Sequence, residues 1–363
     1  MKTYKHLYDD FISDQNILLA IKNASKHKLD RERVKKIHDS PQDYVEYYRN
    51  LALHFKNRRH RPKVIYDGIQ RKKRTIIVPA FDEQVIHHMT VNILKPIFMK
   101  SMYEHSYGSI PGRGSHKGMK QIKKWIRKGG RNIKYCLKMD IRKYFESIPH
   151  DILNAKLERI IKDEKFLSLL REIIGVTTTG IPLGFYTSQW IANWYLTELD
   201  HKIKEEFGAV YYIRYMDDMV IFGSNKKRLH EIKEQIERYL SDHLGLTLKD
   251  NWQIFRFDYI RNGEHYGRFL DFMGFRFYRG RVTLRRTIFL KTKRKAKRIA
   301  KKGKADIHDA RQVISYMGWF KHSDTYGAYL KYVKPYTNIQ YFKRRISDHD
   351  RRMENGRREL QAG

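Results

Sequence analysis

The sequence predicts an α+β fold, because helical and strand patterns occupy different parts of the chain. Residues 1–60 carry Tyr, Leu and Ile spaced among charged residues, which indicates basic helices. β-branched and aromatic residues concentrate further along, at 63–79 and 210–223, where they are typical of short strands. Beyond residue 284 the composition changes again. Lys and Arg dominate 285–302, and an aromatic-bearing helical stretch follows at 307–333.

The composition bounds the size and the partners of the protein. A chain of 363 residues is long enough for two or three lobes around a shared core, and its hydrophobic content of 41% supports globular packing. Lys and Arg number 75 against 40 Asp and Glu, which gives a formal net charge of +35. A polyanion would relieve the self-repulsion, so nucleic acid is the expected partner. An anionic membrane surface is the alternative, but the sequence has no isolated amphipathic anchor.

The cysteine content and the hydropathy pattern exclude two further classes of protein, disulfide-stabilised proteins and membrane-spanning proteins. The single cysteine, Cys136, excludes a disulfide framework, and its apolar strand-like surroundings predict a packed thiol. The first residues contain no hydrophobic signal core, and no run of about 18 apolar residues occurs. The sequence therefore predicts a soluble, cytoplasmic protein without a membrane partner.

Local signals predict several elements in more detail. Residues 63–79 are expected to form two strands joined by a basic turn. A helix is expected from Asp82, an acceptable N-cap, to about Lys95, where Pro96 interrupts it. Apolar side chains at helical spacing predict an amphipathic helix over 229–244.

Carboxylates follow two of the strand-like runs. Residues 135–139 are expected to form a buried strand that ends at Asp140. Met216 and Asp217 are expected to form a tight hairpin, which places Asp217 and Asp218 at its tip. Adjacent acids between apolar strands are costly unless cations neutralise them. A solvated turn would explain an isolated Asp-Asp pair, but the second strand-ending acid favours a site for two Mg²⁺ ions, with Mn²⁺ as a substitute in vitro.

These motifs resemble those of the reverse transcriptase family, over about 60–335. The segment 215–218 (YMDD) matches that family's YxDD box, and Asp140 followed by Tyr144 and Phe145 matches the preceding aspartate motif. The resemblance implies that this chain is an RNA-directed DNA polymerase, a nucleotidyltransferase.

The resemblance also implies a right-hand polymerase fold, with fingers, an antiparallel-sheet palm and a helical thumb. It assigns 1–130 to an N-terminal extension and the fingers, and 131–282 to the palm with the catalytic site. Residues 283–345 would form a basic helical thumb that tracks a duplex backbone. Residues 346–363 would be a charged tail, frayed from about Asp348.

The resemblance implies roles for side chains around the metals. The expected catalytic and metal-binding residues are Asp140, Asp217 and Asp218. The expected nucleotide-binding residues are Lys72, Arg74, Phe145, Leu183, Gly184, Gln189 and Lys249. The expected template- and primer-binding residues are Arg113, Tyr215, Met216, Met273 and Gly274. In this scheme Arg74 binds the triphosphate, Phe145 excludes a 2′-hydroxyl, and Lys249 is the nearest candidate for a lysine that protonates pyrophosphate.

Two positions depart from the usual family pattern. Most members carry Pro-Gln-Gly where this chain has Pro182-Leu183-Gly184, and Gln189 follows Ser188 where many members have proline. This combination resembles the enzymes of diversity-generating retroelements, which copy a template-repeat RNA with frequent errors at adenine. Loss of the glutamine contact to the incoming nucleotide offers a route to looser base selection.

The resemblance implies three kinds of partner: a template RNA with its RNA/DNA duplex, deoxynucleoside triphosphates (dNTPs), and a small basic accessory protein. Two other functions remain open. One is a phage-defence reverse transcriptase that acts on a noncoding RNA. The other is a maturase-like protein that binds RNA without polymerising, against which the three intact acids argue.

Overall fold

A computed structural model describes the backbone of residues 2–67 and 72–362, and their side chains except those of Asp67, Lys72 and 353–362. The expected turn at 68–71 lies outside the described residues. The chain divides into two compact units. The first contains residues up to 66, 73–114 and 131–255, and the second contains 67–72, 115–130 and 256 onwards.

The described residues form helices at both ends of the chain and around a central group of strands. The helices are α1 (Leu7–Phe11), α2 (Asp14–Ala24), α3 (Glu32–Asp39), α4 (Val45–Leu53), α5 (Phe81–Ser101), α6 (Ser115–Lys128), α7 (Tyr144–Ser147), α8 (His150–Ile160), α9 (Glu164–Ile174), α10 (Tyr186–Tyr195), α11 (Thr197–Glu205), α12 (Lys226–Leu244), α13 (Arg286–Lys302), α14 (Ile307–Lys321), α15 (Tyr326–Tyr332) and α16 (Ile339–Ala362). The strands are β1 (Pro62–Asp67), β2 (Lys72–Ile77), β3 (Tyr135–Asp140), β4 (Tyr211–Tyr215), β5 (Asp218–Gly223), β6 (Gln253–Arg256), β7 (Tyr259–Arg261), β8 (Glu264–Tyr266), β9 (Leu270–Phe272), β10 (Phe275–Phe277) and β11 (Val282–Leu284). This mixture of helices and sheets confirms the α+β prediction at the level of class.

The central sheet has four strands in the order β4-β5-β3-β6. β5 pairs antiparallel with both β3 and β4. The smaller sheets are the two-stranded β1-β2, the antiparallel hairpin β7-β8 and the three-stranded β11-β10-β9. Cys136 is completely buried in β3, which confirms the expected packed thiol.

Helix α12 shows how the sequence pattern becomes a packed element. Its expected apolar stripe is buried throughout: Leu229, Ile232, Ile236, Leu240 and Leu244. The helix begins earlier than the apolar pattern, because the Asn225 side chain accepts hydrogen bonds from the backbone N–H groups of Lys227 and Arg228. It ends at Gly245, whose φ of 59° suits a left-handed C-cap.

The expected interruption of a helix at Pro96 was wrong, because α5 continues to Ser101. Pro96 lies on the exposed side of the helix, where water can solvate the backbone carbonyl that loses its N–H partner. Leu94, Ile97 and Phe98 around it are buried in the core of the first unit. Tertiary packing therefore holds the helix together across the proline.

In the second unit, the helices α6 and α13 to α16 accompany the three-stranded sheet. Helical backbone continues in α16 through the segment expected to fray. Phe342 of α16 packs with Ile299, Ala310 and Val313 in a small core. This burial anchors the first turns of α16 in the second unit.

Across the ranges 2–67 and 72–362, no helix is long and apolar enough to cross a membrane.

Candidate active site

The antiparallel register of the central sheet brings the two acidic motifs together. Asp140, the last residue of β3, pairs with Asp218, the first residue of β5. β4 and β5 form a hairpin whose last pair is Tyr215 with Asp218, so Met216 and Asp217 are its two-residue turn. Met216 has a φ of 55°, a left-handed conformation that such turns require. Three carboxylates from two sequence motifs thus lie at one edge of the sheet.

The carboxylates at this edge repel one another. Burial, and then the charges of Asp140 and Asp218, raise the pKa of Asp217 to about 7. The Oδ1 atom of Asp140 is buried without a hydrogen-bond partner. Its Oδ2 atom accepts from the Lys249 ammonium group, which belongs to the segment between α12 and β6. The site therefore has an excess of negative charge that Lys249 offsets only in part.

This donor set fits a divalent cation. Carboxylate oxygens are the ligands that hard cations such as Mg²⁺ prefer. The orphaned Asp140 oxygen and the raised pKa of Asp217 are what closely spaced metal ligands display before a cation is supplied. Among the described side chains, no group of three or more His, Cys, Asp or Glu residues is already placed to hold a metal ion. The fit therefore rests on the chemistry of the carboxylates and not on a preformed cluster.

The expected nucleotide-binding residues lie on several elements of the first unit. Arg74 is half-buried on β2, whereas the Lys72 side chain is outside the described part of the chain. Phe145 is half-buried in α7, just beyond Asp140, with its ring edge-on to Tyr144. Gln189 is half-buried in the first turns of α10.

Gly184 is held by a close approach between two backbones. The Ile77 N–H donates to the Leu183 carbonyl at 2.7 Å, which joins β2 to the segment before α10. A Cβ atom on Gly184 would lie 2.1 Å from the Ile77 carbonyl oxygen, and the φ of Gly184 is 109°. Only glycine suits this position. The sequence predicted a close approach here, but to a nucleotide rather than to β2.

Three of the expected template- and primer-binding residues lie in the first unit, and two of them make contacts within the protein. The Met216 side chain is buried, and its Sδ atom accepts from Asn193 Nδ2 at 3.2 Å. Arg113 Nη1 donates to the backbone carbonyls of Tyr103 and Ser106 at 2.6 and 3.3 Å, so this guanidinium braces its own loop. Tyr215 is half-buried, and burial raises the pKa of its hydroxyl.

The remaining two, Met273 and Gly274, form the turn between β9 and β10 in the second unit, and both are buried. A Cβ atom on Gly274 would approach Trp319 and Ile288 within 2.9 Å. Packing within the second unit therefore accounts for this glycine.

An open cavity lies beside Gly184 and was not predicted from the sequence. Its volume is about 520 Å³, and its lining combines two cations with aromatic and imidazole rings. The lining residues are Lys28, Arg31, Val78, Pro79, Ala80, Phe81, Gln84, His87, His88, Gly184, Phe185, Tyr186 and Gln189. Tyr186 is 37% exposed, and its ring lies 4.4 Å from that of His88. Burial and the nearby lysines lower the pKa of His88 to about 4, so this ring is neutral at pH 7.

Arg214 of β4 and Asp200 of α11 form a buried ion pair beneath the hairpin, which was also not predicted from the sequence. A signal for it was available, because Arg214 interrupts the apolar run around the YMDD segment. A charged residue in a buried strand requires a partner. No local pattern identifies Asp200 as that partner.

Comparison with known proteins assigns the family. The model of the family described as reverse transcriptase (RNA-dependent DNA polymerase) matches residues 61–257, which is more than half of the chain. The chain therefore belongs to the reverse transcriptase family.

Several named relatives share part of this chain. Protein YkfC of Escherichia coli (strain K12) is 23% identical, over 49% of this chain and 58% of YkfC. The retron Ec73 reverse transcriptase of Escherichia coli is 25% identical, over 52% of this chain and 62% of the retron protein. The group II intron-encoded protein LtrA of Lactococcus lactis subsp. cremoris is 28% identical, over 47% of this chain and 28% of LtrA. Each alignment spans less than two thirds of the relative's own length.

A solved structure of telomerase from Candida tropicalis in complex with a TWJ fragment of telomeric RNA also resembles this chain. The TM-score is 0.48 and the sequence identity is 11%, over 75% of this chain and 53% of the telomerase chain.

Proposed function

We propose that the protein is an RNA-directed DNA polymerase that extends a primer on an RNA template. The observation that carries this proposal is the convergence of Asp140 with the Asp217-Asp218 hairpin, where the pKa of Asp217 is raised to about 7. Within the reverse transcriptase family, this arrangement is suited to binding divalent cations for nucleotidyl transfer.

The side chains around this edge have separate tasks in the proposal. Two Mg²⁺ ions, when bound, would activate the primer 3′-hydroxyl and stabilise the leaving pyrophosphate. Asp140 and Asp217 would hold them, with assistance from Asp218. Lys249 neutralises Asp140 before the cations enter, and from there its ammonium group can donate a proton to pyrophosphate.

On the nucleotide side, Arg74 binds the triphosphate, and Lys72 is assigned to the same group. The Phe145 ring lies under the sugar and excludes a 2′-hydroxyl. Leu183, Gly184 and Gln189 line the base pair. In the second unit, the turn of Met273 and Gly274 supports the primer, and the basic helix α13 follows the duplex backbone. Fingers, palm and thumb then correspond to the expected segments 1–130, 131–282 and 283–345.

The cavity beside Gly184 supports a path for the template strand. Its volume of about 520 Å³ can hold one unstacked nucleotide, and the exposed Tyr186 ring with the neutral His88 offers a stacking surface. Lys28 and Arg31 at the same cavity suit a phosphate. The template nucleotide beyond the copied base would bind here.

Primer extension tests the proposal directly. The wild-type protein, with poly(rA)/oligo(dT), Mg²⁺ and dTTP, is expected to lengthen the primer. The variant Asp217→Ala/Asp218→Ala is expected to bind the duplex but not to extend it. Equal extension by both proteins, or none by the wild type on any RNA template, would reject the polymerase assignment. Binding without extension by the wild type would favour the maturase-like alternative.

The template cavity makes its own prediction. Arg31→Ala is expected to weaken binding of a primer–template with an unpaired 5′ RNA overhang by roughly 3- to 10-fold, the effect of losing one phosphate contact. Fluorescence anisotropy at fixed salt measures this affinity. A blunt duplex should bind both proteins equally. Lys36→Ala is the matched control, because Lys36 lies close in sequence and carries the same charge but neither lines the cavity nor affects His88. An equal loss for blunt and overhanging duplexes would remove the cavity from the template path.

A finer proposal concerns the copying errors. We infer that the enzyme belongs to a diversity-generating retroelement, works with a small basic accessory protein and misincorporates opposite adenine. Leu183 supports this inference, because an aliphatic side chain cannot make the amide contact that glutamine makes at this position.

Restoring the amide tests this proposal. Leu183→Gln is expected to lower the error rate at template adenines several-fold, because discrimination depends on contacts of a few kcal/mol. Sequencing of cDNA made on a template containing all four bases measures the rate, and errors at the other three bases serve as the internal control. An unchanged adenine error rate would contradict the proposal and favour a phage-defence enzyme that acts on a noncoding RNA.

A further inference from the structure

The Arg214 side chain is completely buried beneath the hairpin that carries Asp217. Its ion-pair partner Asp200 is equally inaccessible, since both side chains are 0% exposed. Moving two charges out of water costs more than their attraction usually returns, so such a pair is weak evidence for stability. A buried pair beside a functional hairpin points instead to a role in geometry.

The Arg214 guanidinium group uses its full hydrogen-bonding capacity. Nε donates to the Asp200 carboxylate oxygens at 2.8 and 3.1 Å, and Nη2 donates to Asp200 Oδ2 at 2.6 Å. Nη2 also donates to the Asn193 carbonyl at 3.1 Å. Nη1 donates to the Met216 carbonyl at 3.0 Å and to Asn193 Oδ1 at 3.4 Å. Five N–H groups therefore connect β4 to α10, to α11 and to the hairpin turn.

The contact with Met216 has a particular consequence. The Met216 carbonyl belongs to the peptide group that joins Met216 to Asp217. A planar peptide rotates as one body, so fixing its oxygen restricts the ψ angle of Met216 and the φ angle of Asp217. These angles set the direction in which the Asp217 side chain leaves the backbone.

Other contacts hold the same turn from the opposite side. Asn193 Nδ2 donates to the Gly108 carbonyl at 2.8 Å as well as to Met216 Sδ. A Cβ atom on Gly108 would lie 2.6 Å from the Met216 backbone nitrogen, so the two segments touch directly. Met216 adopts its left-handed φ of 55° within this enclosure. Non-glycine residues persist in that conformation where their surroundings determine it strongly.

We propose that Arg214, held by Asp200 and Asn193, is a positioning residue that aims Asp217 at Asp140. This inference rests on the proposed polymerase function for its catalytic consequence, but its structural content does not. Arg214 touches neither substrate nor metal in this proposal. It acts through the Met216–Asp217 peptide.

The test separates the positioning role from a merely structural one. Arg214→Met leaves Asp200 buried without its partner and is expected to melt at a lower temperature than the wild type. In the triple variant Arg214→Met/Asp200→Leu/Tyr212→Phe the carboxylate is absent, and so is the Tyr212 hydroxyl that donates to it. The triple variant should therefore recover part of the lost stability. Its extension rate should nevertheless stay roughly 10- to 100-fold below wild type, because the Met216 carbonyl still lacks its hydrogen-bond donor. Losses of this size are typical when a residue that orients a metal ligand is removed.

Two readouts identify the defect. The Mg²⁺ concentration for half-maximal rate should rise in the triple variant, while the KM for dTTP and the affinity for duplex stay unchanged. In the absence of substrate and metal, the backbone amides of residues 215–218 should exchange their hydrogens faster in the triple variant than in the wild type. The control Lys156→Met/Glu198→Gln removes a different ion pair, whose lysine is also buried, and should change neither readout.

The outcomes decide between the alternatives. A triple variant with wild-type rate and wild-type exchange at 215–218 overturns the proposal. If the wild type extends no primer but exchange still rises in the variant, the polymerase function fails and the positioning role stands. Should the triple variant not fold, Arg214→Lys replaces it. A lysine ammonium cannot reach Asp200 and the Met216 carbonyl together, so slower extension with faster exchange is expected, and unchanged values of both overturn the proposal.

Discussion

Replacement of Asp217 by asparagine is expected to abolish primer extension and, without metal, to stabilise the folded protein. The stabilisation follows from burial and from repulsion by Asp140 and Asp218, which raise the pKa of Asp217 to about 7. Its carboxylate form is therefore disfavoured in the folded state. Asparagine occupies nearly the same volume and cannot ionise, so this repulsion disappears.

The pH dependence of this stabilisation follows from the raised pKa. A carboxyl group with a higher pKa in the folded state binds a proton more tightly there than in the unfolded chain. Its destabilising effect is absent below the ordinary pKa of about 4, grows as the pH rises and is complete above about 7. A tenfold difference in proton affinity between the folded and unfolded states corresponds to about 1.4 kcal/mol. The asparagine variant should therefore gain roughly 2–4 kcal/mol at pH 8.

Thermal unfolding in EDTA measures this effect. The melting temperature of Asp217→Asn should exceed that of wild type at pH 8, and the two should converge near pH 4. Addition of Mg²⁺ should stabilise the wild type more than the variant, because the carboxylates that bind the ion are also those that repel one another. A variant less stable than wild type in EDTA at pH 8 would contradict the electrostatic description of the site.

The loss of activity has a separate control. Removing one carboxylate ligand is expected to lower the extension rate by about 10³-fold or more. Without that ligand, no metal ion would be held where it can stabilise the negative charge of the transition state. Asp250→Asn is the matched variant. Asp250 lies next to Lys249, but its carboxylate is 89% exposed and pairs with Arg142 at the surface. Near-normal extension by Asp250→Asn with none by Asp217→Asn would assign the loss to the hairpin carboxylate rather than to the removal of any nearby negative charge.

The sequence predicted the elements whose signals are local. The strand before Asp140 and the hairpin at Met216 and Asp217 combine alternating apolar residues with a tight turn, and both occur as expected. The amphipathic stripe of α12 was equally visible, because burial on one face repeats every three or four residues. For these elements, the residues nearby in the sequence are sufficient to predict the secondary structure.

Features that depend on distant partners could not be predicted. Pro96 breaks isolated helices, and only the packing of its buried neighbours keeps α5 continuous. The carbonyls that engage Arg113 belong to the preceding loop, which the pattern of glycine and proline does not specify. The pairing of Arg214 with Asp200 joins a strand to a helix that precedes it. Contacts of this kind depend on the assembled fold. A sequence motif shows which residue types occur, but it does not identify their contact partners.

Substitution of Gly184 by alanine is expected to destabilise the folded protein strongly. The new methyl group would overlap the Ile77 carbonyl oxygen, 2.1 Å away, and the φ of 109° is unfavourable for any residue with a Cβ atom. The obstacle is backbone within a strand, which cannot move aside as a flexible side chain could. We expect a loss of about 3 kcal/mol or more in the free energy of unfolding, measured by urea denaturation.

The same substitution should also reduce activity, and the comparison with a second glycine shows why. Gly280→Ala introduces the same methyl group at a position with nothing within 4 Å and should be nearly neutral in stability and extension. In Gly184→Ala the strain must be relieved by separating Leu183 from Ile77, whose hydrogen bond joins β2 to the start of α10. Arg74 lies on one of these segments and Gln189 on the other, so relief of the strain displaces two proposed nucleotide contacts at once. A rise in the KM for dTTP even at temperatures where the variant is fully folded is therefore expected. Wild-type KM in a destabilised variant would indicate that Gly184 serves the fold alone.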